Sequence, residues 1–185
     1  MMRILLVILF MASVAFAQDQ TEVARMAAGC GPNSIQFEVK TDKKLHPVAQ
    51  PEAVKAVVYI FRDEITDNIG DISDVTTRVG IDGSWVGANG HKSYFFFTLN
   101  PGDHRLCTER QSSFKSQLKI AAAKSFTAEA GKVYYFRTHT PDQPLPGEAV
   151  EVVRIDPAQA QLLIPQFAHS TFTIKKESSS TRHWF

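Results

Sequence analysis

The sequence predicts an all-β protein, specifically a β-sandwich of about eight short, mostly antiparallel strands with one short C-terminal helix. The first supporting observation is a series of short segments rich in β-branched and aromatic residues. The second is that turn sequences separate these segments about every 8–12 residues, a spacing typical of sandwiches and barrels. The third is that, after the N-terminal apolar run, one short segment near residue 160 has a helical pattern. Side-chain alternation is equally compatible with a barrel, and we adopt the sandwich.

The strands are predicted from side-chain alternation and apolar density. Ile35, Phe37 and Val39 alternate with polar residues, which is the period-2 pattern of a half-buried strand. Ala56–Phe61 is dense in β-branched and aromatic residues, which indicates a central strand. The other predicted strands are the hairpin Arg78–Val86, Ser93–Leu99, His104–Thr108, Phe114–Ala128, Val133–Thr138, Ala149–Ile155 and an edge strand at Phe167–Ile174.

Two turns are predicted from residue types that favour special backbone angles. Asp82-Gly83 is a strong signal for a type I′ hairpin turn, which needs positive φ at both central positions. Pro101-Gly102 fits the centre of a type II turn, because proline presets φ and glycine accepts a left-handed geometry. We therefore expect Asp82, Gly83, Pro101 and Gly102 to be architectural residues.

The helix is predicted from its end signals. Asp156 can cap the N-terminus, Pro157 suits the first helical position, and Gln159 sits where a capping box has Glu or Gln. Ala158–Leu163 would form about two turns before Pro165 stops them.

The N-terminus has the pattern of a cleaved export signal. Arg3 precedes an apolar run of 14 residues, Ile4–Ala17, which ends in a small-x-small cleavage sequence. The run is short for a membrane-spanning helix, which needs about 20 residues. We expect a mature chain that starts at Gln18, has no transmembrane span, and is periplasmic or extracellular.

Four segments follow from this boundary. Residues 1–17 are the signal peptide, 18–33 a loose N-terminal arm, 34–174 the β-sandwich domain, and 175–185 a polar, disordered tail. Within the domain, 63–74 is an acidic, solvated loop. Removal of Arg3 changes the formal net charge from +1 to 0. A neutral chain has no general attraction for nucleic acid, so nucleic-acid binding is not predicted.

The two cysteines suggest a covalent bond. Cys30 and Cys107 both lie in the mature chain, and two thiols in an oxidising compartment favour a disulfide. This bond would attach the N-terminal arm to a strand. A minor alternative is lipid attachment at Cys30, because Met26–Cys30 resembles a lipidation sequence. Against it, Gln18–Arg25 separates that sequence from the apolar run.

Six short motifs in the predicted strands and turns are Ala56–Arg62, Val79–Gly83, Val86-Gly87, Tyr94-Phe95, Pro101–His104 and Ala130–Tyr135. Together they resemble the bacterial family called domain of unknown function 2846, over Lys55 to Ile164. A looser similarity links only Val79–Gly83, Val86-Gly87 and Leu99–Leu106 to the PEGA domain. The resemblance implies a small exported or lipid-anchored β-domain with no established activity.

No catalytic set, metal site or cofactor site is predicted. Ser84 follows Gly83 directly on a hairpin, which is not the strand-to-helix elbow of serine hydrolases. The six histidines lack the spacing that places two ligands on one face. The acidic loop has calcium-like residue types but fails the EF-hand register.

A candidate binding platform is formed by the aromatic residues Trp85, Tyr94 and Phe96. On one strand, Tyr94 and Phe96 occupy one face while Phe95 and Phe97 occupy the other. One pair meets the core, so the other could bind a sugar or a partner protein. The alternative is that the helix or the N-terminal arm covers these rings.

The sequence therefore favours a non-enzymatic, exported β-sandwich that binds an envelope protein or glycan of unknown identity, with its oligomeric state open. The alternative function is a hydrolase or carbohydrate-active protein with its site on loops. A concave pocket with two or more converging His, Asp or Glu side chains would favour the enzyme, and a flat aromatic patch would favour binding.

Overall fold

The computed structural model describes residues 30–32, 34–63, 76–111, 121–139 and 151–175. Some predicted segments lie outside these ranges and stay predictions: the signal peptide 1–17, the arm up to residue 29, the acidic loop beyond Asp63, the first part of the strand predicted at 114–128, and the tail from residue 176.

The described residues form ten β-strands, one α-helix and one 3₁₀ turn. The helix α1 spans Pro157–Leu163 and the 3₁₀ turn Ile164–Gln166. The strands are β1 (Phe37–Asp42), β2 (Ala56–Arg62), β3 (Thr76–Ile81), β4 (Ser84–Asn89), β5 (Ser93–Leu99), β6 (Gly102–Gln111), β7 (Ala121–Ala128), β8 (Val133–His139), β9 (Glu151–Ile155) and β10 (Ala168–Ile174).

The strands make two sheets that pack face to face. The first sheet has six strands in the order β1-β10-β5-β2-β8-β9, and the second has four in the order β4-β3-β6-β7. Most neighbours are antiparallel, but β10 with β5 and β2 with β8 are parallel. The predicted all-β sandwich with a short C-terminal helix is confirmed.

The ten strands of the described residues are close to the predicted number. One detail of the prediction is wrong. The last strand, β10, is not at an edge, because β1 pairs with it antiparallel along Phe37–Asp42 and β5 pairs with it on the other side. The N-terminal strand therefore occupies the edge position, a long-range pairing that local alternation could not predict.

The main core lies between the two sheets. Alternate residues of β2 and β5 face the second sheet, and alternate residues of β3 and β6 pack against them. Burial of this apolar surface is the main stabilising contribution to the fold. The core's almost fully buried members include Val58, Ile60, Val79, Phe95, Leu106 and Phe136.

A second apolar layer covers the outer face of the first sheet. Asp156 caps α1 by accepting a hydrogen bond from the Gln159 amide at 3.0 Å, as predicted from its end signals. The helix and the turn after it pack Ala160, Ile164 and Phe167 on this face. Strand β2 is consequently buried on both faces, which explains its uninterrupted apolar sequence. The sheet side of the layer consists of Val57, Tyr59, Phe61, Tyr94 and Ile155.

A short N-terminal segment crosses the outer face of the second sheet. We call residues 30–32 and 34–36 the strap. Cys30 is bonded to Cys107 of β6, and the Pro32 carbonyl accepts a hydrogen bond from the Trp85 indole at 2.9 Å. The Ile35 carbonyl accepts one from Arg78 at 2.6 Å. The strap thus leads the chain from the second sheet to β1 in the first.

Candidate functional site

The three residues of the predicted aromatic platform do not share a surface. Tyr94 and Phe96 lie on the outer face of the first sheet, within the layer covered by α1. Trp85 lies on the outer face of the second sheet, beside the strap. The sandwich core separates the two positions. The platform hypothesis is therefore wrong.

Tyr94 is fully covered. Its ring stacks on Phe61, and its hydroxyl donates a hydrogen bond to the Pro47 carbonyl at 3.0 Å. Burial, and then the neighbouring Tyr59, raises the pKa of Tyr94 to about 12. The alternative considered for the sequence, that the helix side covers these rings, describes Tyr94 correctly.

Trp85 also makes its contacts within the protein. Its indole donates to the strap, Gly31 lies against its ring, and the Arg78 guanidinium sits 4.3 Å from its ring centroid. Arg78 also forms a buried ion pair with Glu109 of the neighbouring strand. The strap, Trp85 and this ion pair form one structural cluster.

The predicted disulfide between Cys30 and Cys107 is confirmed, with the two Cα atoms 5.2 Å apart. No free cysteine remains among the described residues. The sulfur of Cys30 is used in this bond, so the bonded form cannot carry the lipid considered as an alternative. The residues of the arm closest to the domain are therefore held, not loose.

The predicted turns differ from one another. Asp82 and Gly83 have φ values of 52° and 82°, the two positive angles of a type I′ turn. The Asp82 carboxylate also accepts hydrogen bonds from the Arg105 amide at 2.8 Å and pairs with His104 at 2.7 Å. Gly102, after Pro101, has a positive φ of 138°, far from the roughly 80° of the type II turn that the sequence predicts.

Among the described residues, a concave site that combines charged and titratable groups lies where β1 and β10 form the edge of the first sheet. We call it the lysine pocket. Its floor is the outward face of the two strands, and its wall is the turn after β1. Its volume is about 440 Å³, within the roughly 300–1,000 Å³ range of small-ligand sites. Its lining residues are Lys40, Thr41, Asp42, Lys43, Lys44, Leu45, His169 and Thr171.

Strand register determines which groups meet on the pocket floor. Lys40 pairs with Thr171 and Asp42 with His169 across the β1–β10 ladder. Directly opposed residues share a face, so these four side chains point the same way. One Asp42 oxygen accepts the Lys44 amide hydrogen at 2.7 Å, which fixes the turn that forms the wall.

His169 is the most constrained group in the pocket. Its ring packs edge-on against Tyr94 and lies tilted against Phe96. Burial lowers the pKa of His169, and the charge of Asp42 opposes that effect. The lowered pKa favours the neutral imidazole. Its Nδ1 atom is buried with no hydrogen-bond partner in the part of the chain that the structure describes.

A polar layer closes one end of the sandwich core. Arg62, at the end of β2, pairs with Ser93 of β5 and Thr138 of β8. Thr77 and Asn89 face them from the second sheet, and all five residues are buried. Burial, and then the charge of nearby Arg110, lowers the pKa of Arg62 to about 10. The inward-facing arginine at the end of the apolar strand β2 therefore lies among other buried polar residues and not in the apolar core.

Neither feature was predicted from the sequence. The period-2 pattern predicts a strand at Ile35–Val39 only, and His169 is one of six histidines whose spacing indicates no site. The available signal was the concentration of lysine in K-T-D-K-K. Pairing of β1 with β10, which brings His169 opposite Asp42, has no local signature.

The described ranges contain no group of three or more His, Cys, Asp or Glu side chains placed to hold a metal ion. They also contain no helix long and apolar enough to cross a membrane.

Two packed sheets, a covering helix and a disulfide-held strap define a small all-β sandwich domain. Residues 52–151 match the family model described as Protein of unknown function (DUF2846), which is more than half of the 185-residue chain. The chain therefore belongs to the DUF2846 family, as its motifs suggest. The matched range ends at residue 151, short of Ile164. No curated protein matches the chain, and no solved structure matches it.

Proposed function

We propose that this protein is an exported, non-enzymatic β-sandwich module that binds a protein or glycan of the cell envelope. The observation that carries the proposal is the Cys30–Cys107 disulfide, which holds the strap against the second sheet. Disulfides persist in oxidising compartments and are rare in the cytosol. The apolar run Ile4–Ala17, followed by a small-x-small sequence, provides the matching export signal.

Binding is favoured over catalysis by the composition of the lysine pocket. Its lining holds three lysines, one carboxylate and one histidine, with no serine or cysteine nucleophile and no second carboxylate among the described lining residues. One oxygen of the single carboxylate, Asp42, is already engaged by the Lys44 amide. Such a set can attract and orient a ligand, but it has neither a serine or cysteine nucleophile nor the two carboxylates of a glycoside hydrolase.

The alternative, a hydrolase or carbohydrate-active protein, has one observation in its favour. Asp42 and His169 lie together in a concave pocket, which is the minimum arrangement of converging side chains expected for an enzyme. A pocket that hydrolyses a glycoside or ester would lose that activity in Asp42→Asn, while Asp103→Asn, on the other sheet, would keep it. Activity with that difference would support the alternative.

Export and binding are tested together on the full chain. We expect a full-length version to be recovered from the envelope or the medium and a version without residues 2–17 to stay in the cytosol. An affinity pull-down from envelope extract with the disulfide-intact mature protein should then retain a saturable partner. Cytosolic recovery of the full-length chain, or a pull-down equal to that of denatured protein, would contradict the proposal.

A further inference from the structure

We infer that the lysine pocket is a binding site for a phosphate or carboxylate group carried on a small, sugar-sized ligand. This inference deepens the proposed function and rests on it for the origin of the ligand in the envelope. All eight lining residues lie outside the family-matched range 52–151. The site is built by β1, the turn after it and β10, which lie outside the matched range.

The charge of the pocket selects the ligand. Lys40, Lys43 and Lys44 provide three positive charges, and Asp42 provides one negative charge. Asp42 is held by the Lys44 backbone amide, so the turn is set by the backbone and does not require a lysine side chain. Like charges crowded at one site raise the local positive potential, and an anionic group is the species that this potential concentrates.

The pocket has room for a ligand larger than a bare ion. A volume of about 440 Å³ leaves room for a body attached to the anion. The floor supplies neutral hydrogen-bonding groups, Thr171 and the imidazole of His169, and the wall supplies the half-exposed apolar side chain of Leu45. Hydroxyls with an apolar ring face, as in a sugar, match this combination.

The fixed position of His169 suits it to orient a bound ligand. Its ring is fixed by Tyr94 and Phe96, so it loses little conformational freedom when a ligand binds. A neutral imidazole has one donor and one acceptor nitrogen. Because Nδ1 of His169 is buried, Nε2 is the nitrogen that a ligand hydroxyl would meet. The lysines then provide attraction and salt sensitivity, while the rigid floor provides orientation.

The test is calorimetric titration of the disulfide-intact mature protein with four probes. Glucose 6-phosphate and glucuronate carry the predicted anion on a sugar, glucose lacks the anion, and inorganic phosphate lacks the sugar. We expect saturable binding of the first two, weaker binding of inorganic phosphate, and none of glucose. Raising the salt concentration from about 0.05 M to 0.5 M should weaken binding severalfold, because screening shortens the range of the lysine charges.

Matched variants assign the effect to the pocket. Lys40→Gln and Lys132→Gln each remove one positive charge from an exposed lysine, but Lys132 lies on the turn between β7 and β8. Binding should weaken about tenfold in Lys40→Gln and less than twofold in Lys132→Gln. Lys43→Gln, in the exposed turn, repeats the test if Lys40→Gln alters folding. Equal effects of pocket and control variants, or no saturable binding of either anionic sugar, would overturn the inference.

A lipid headgroup could carry the same phosphate chemistry, and vesicles distinguish this source. Binding to phosphatidylglycerol vesicles that glucose 6-phosphate displaces and that Lys40→Gln weakens would assign the phosphate to a lipid and support the pocket. Vesicle binding unaffected by both would contradict it. The outcomes also separate the two proposals: an exported chain that binds no anionic sugar refutes only the pocket, and a cytosolic chain that binds one refutes only the export.

Discussion

Replacement of Gly80 by alanine should detach the strap from the second sheet. A Cβ atom at Gly80 would stand closer than 3.0 Å to the Cys30 carbonyl oxygen and 3.3 Å from the Ser84 carbonyl oxygen. Both are backbone atoms, and the disulfide to Cys107 holds the first of them in place. Gly80 itself does not have the positive φ found at Gly83, Gly102 and Gly131. The cost therefore comes from contact and not from backbone strain.

The magnitude follows from overpacking. Forcing one extra methyl group into a closely packed site costs about 1–3 kcal/mol, and we expect Gly80→Ala to lower the free energy of unfolding by about 2 kcal/mol. The clash disappears when the strap can move away. In a background with Cys30→Ser and Cys107→Ser, the same substitution should cost less than about 0.5 kcal/mol, because the two sites are coupled through the strap.

The assay is urea denaturation of the four proteins of this double-mutant cycle. The cysteine substitutions alone should lower stability by up to about 4.5 kcal/mol, since the bond closes a loop with a sequence separation of 77 residues. Trp85 fluorescence should also change in Gly80→Ala, because its indole donates to the Pro32 carbonyl of the strap. An equal cost of Gly80→Ala in both backgrounds would refute the close approach of strap and strand.

Three further predictions concern a turn, a helix cap and a buried tyrosine. Gly83→Val should lower stability by more than about 1 kcal/mol in chemical denaturation, whereas Gly83→Asn should cost less, because φ is 82° and no atom lies within 4 Å of a Cβ there. Asp156→Ala should cost about 1 kcal/mol by removing the helix cap, and Asp156→Ser should restore most of it; equal urea midpoints would contradict the cap. Tyrosinate absorbance should show a group with a pKa of about 12 that is absent in Tyr94→Phe. Between about pH 10 and 12 the folded state keeps the Tyr94 proton while the unfolded state releases it, so the contribution of this tyrosine to stability should fall over that range.

The sequence contained strong local signals for the elements themselves. The apolar run of β2 predicted a central strand, because a strand buried on both faces has no need for polar residues. Asp82-Gly83 predicted the reversal between β3 and β4, and Asp156-Pro157 predicted where the helix begins. Each of these depends on backbone angles or burial within a few residues.

These local signals do not predict which distant strands pair with one another. Alternation in β5 showed that Tyr94 and Phe95 face opposite ways, but not that α1 would cover the Tyr94 side. The position of β10 between β1 and β5 joins the two ends of the domain, so no local pattern reports it. The lysine pocket depends on that pairing, because His169 reaches Asp42 only when β1 and β10 are in register.

The most direct test of the account is the intact mass of the protein recovered from the cell envelope or medium, measured with and without a thiol-alkylating reagent under non-reducing conditions. The account predicts a chain that begins at Gln18, carries no lipid, and gains no mass from the reagent, because Cys30 and Cys107 are bonded to each other. A chain that retains Met1, a lipid on Cys30, or two alkylated cysteines would contradict it.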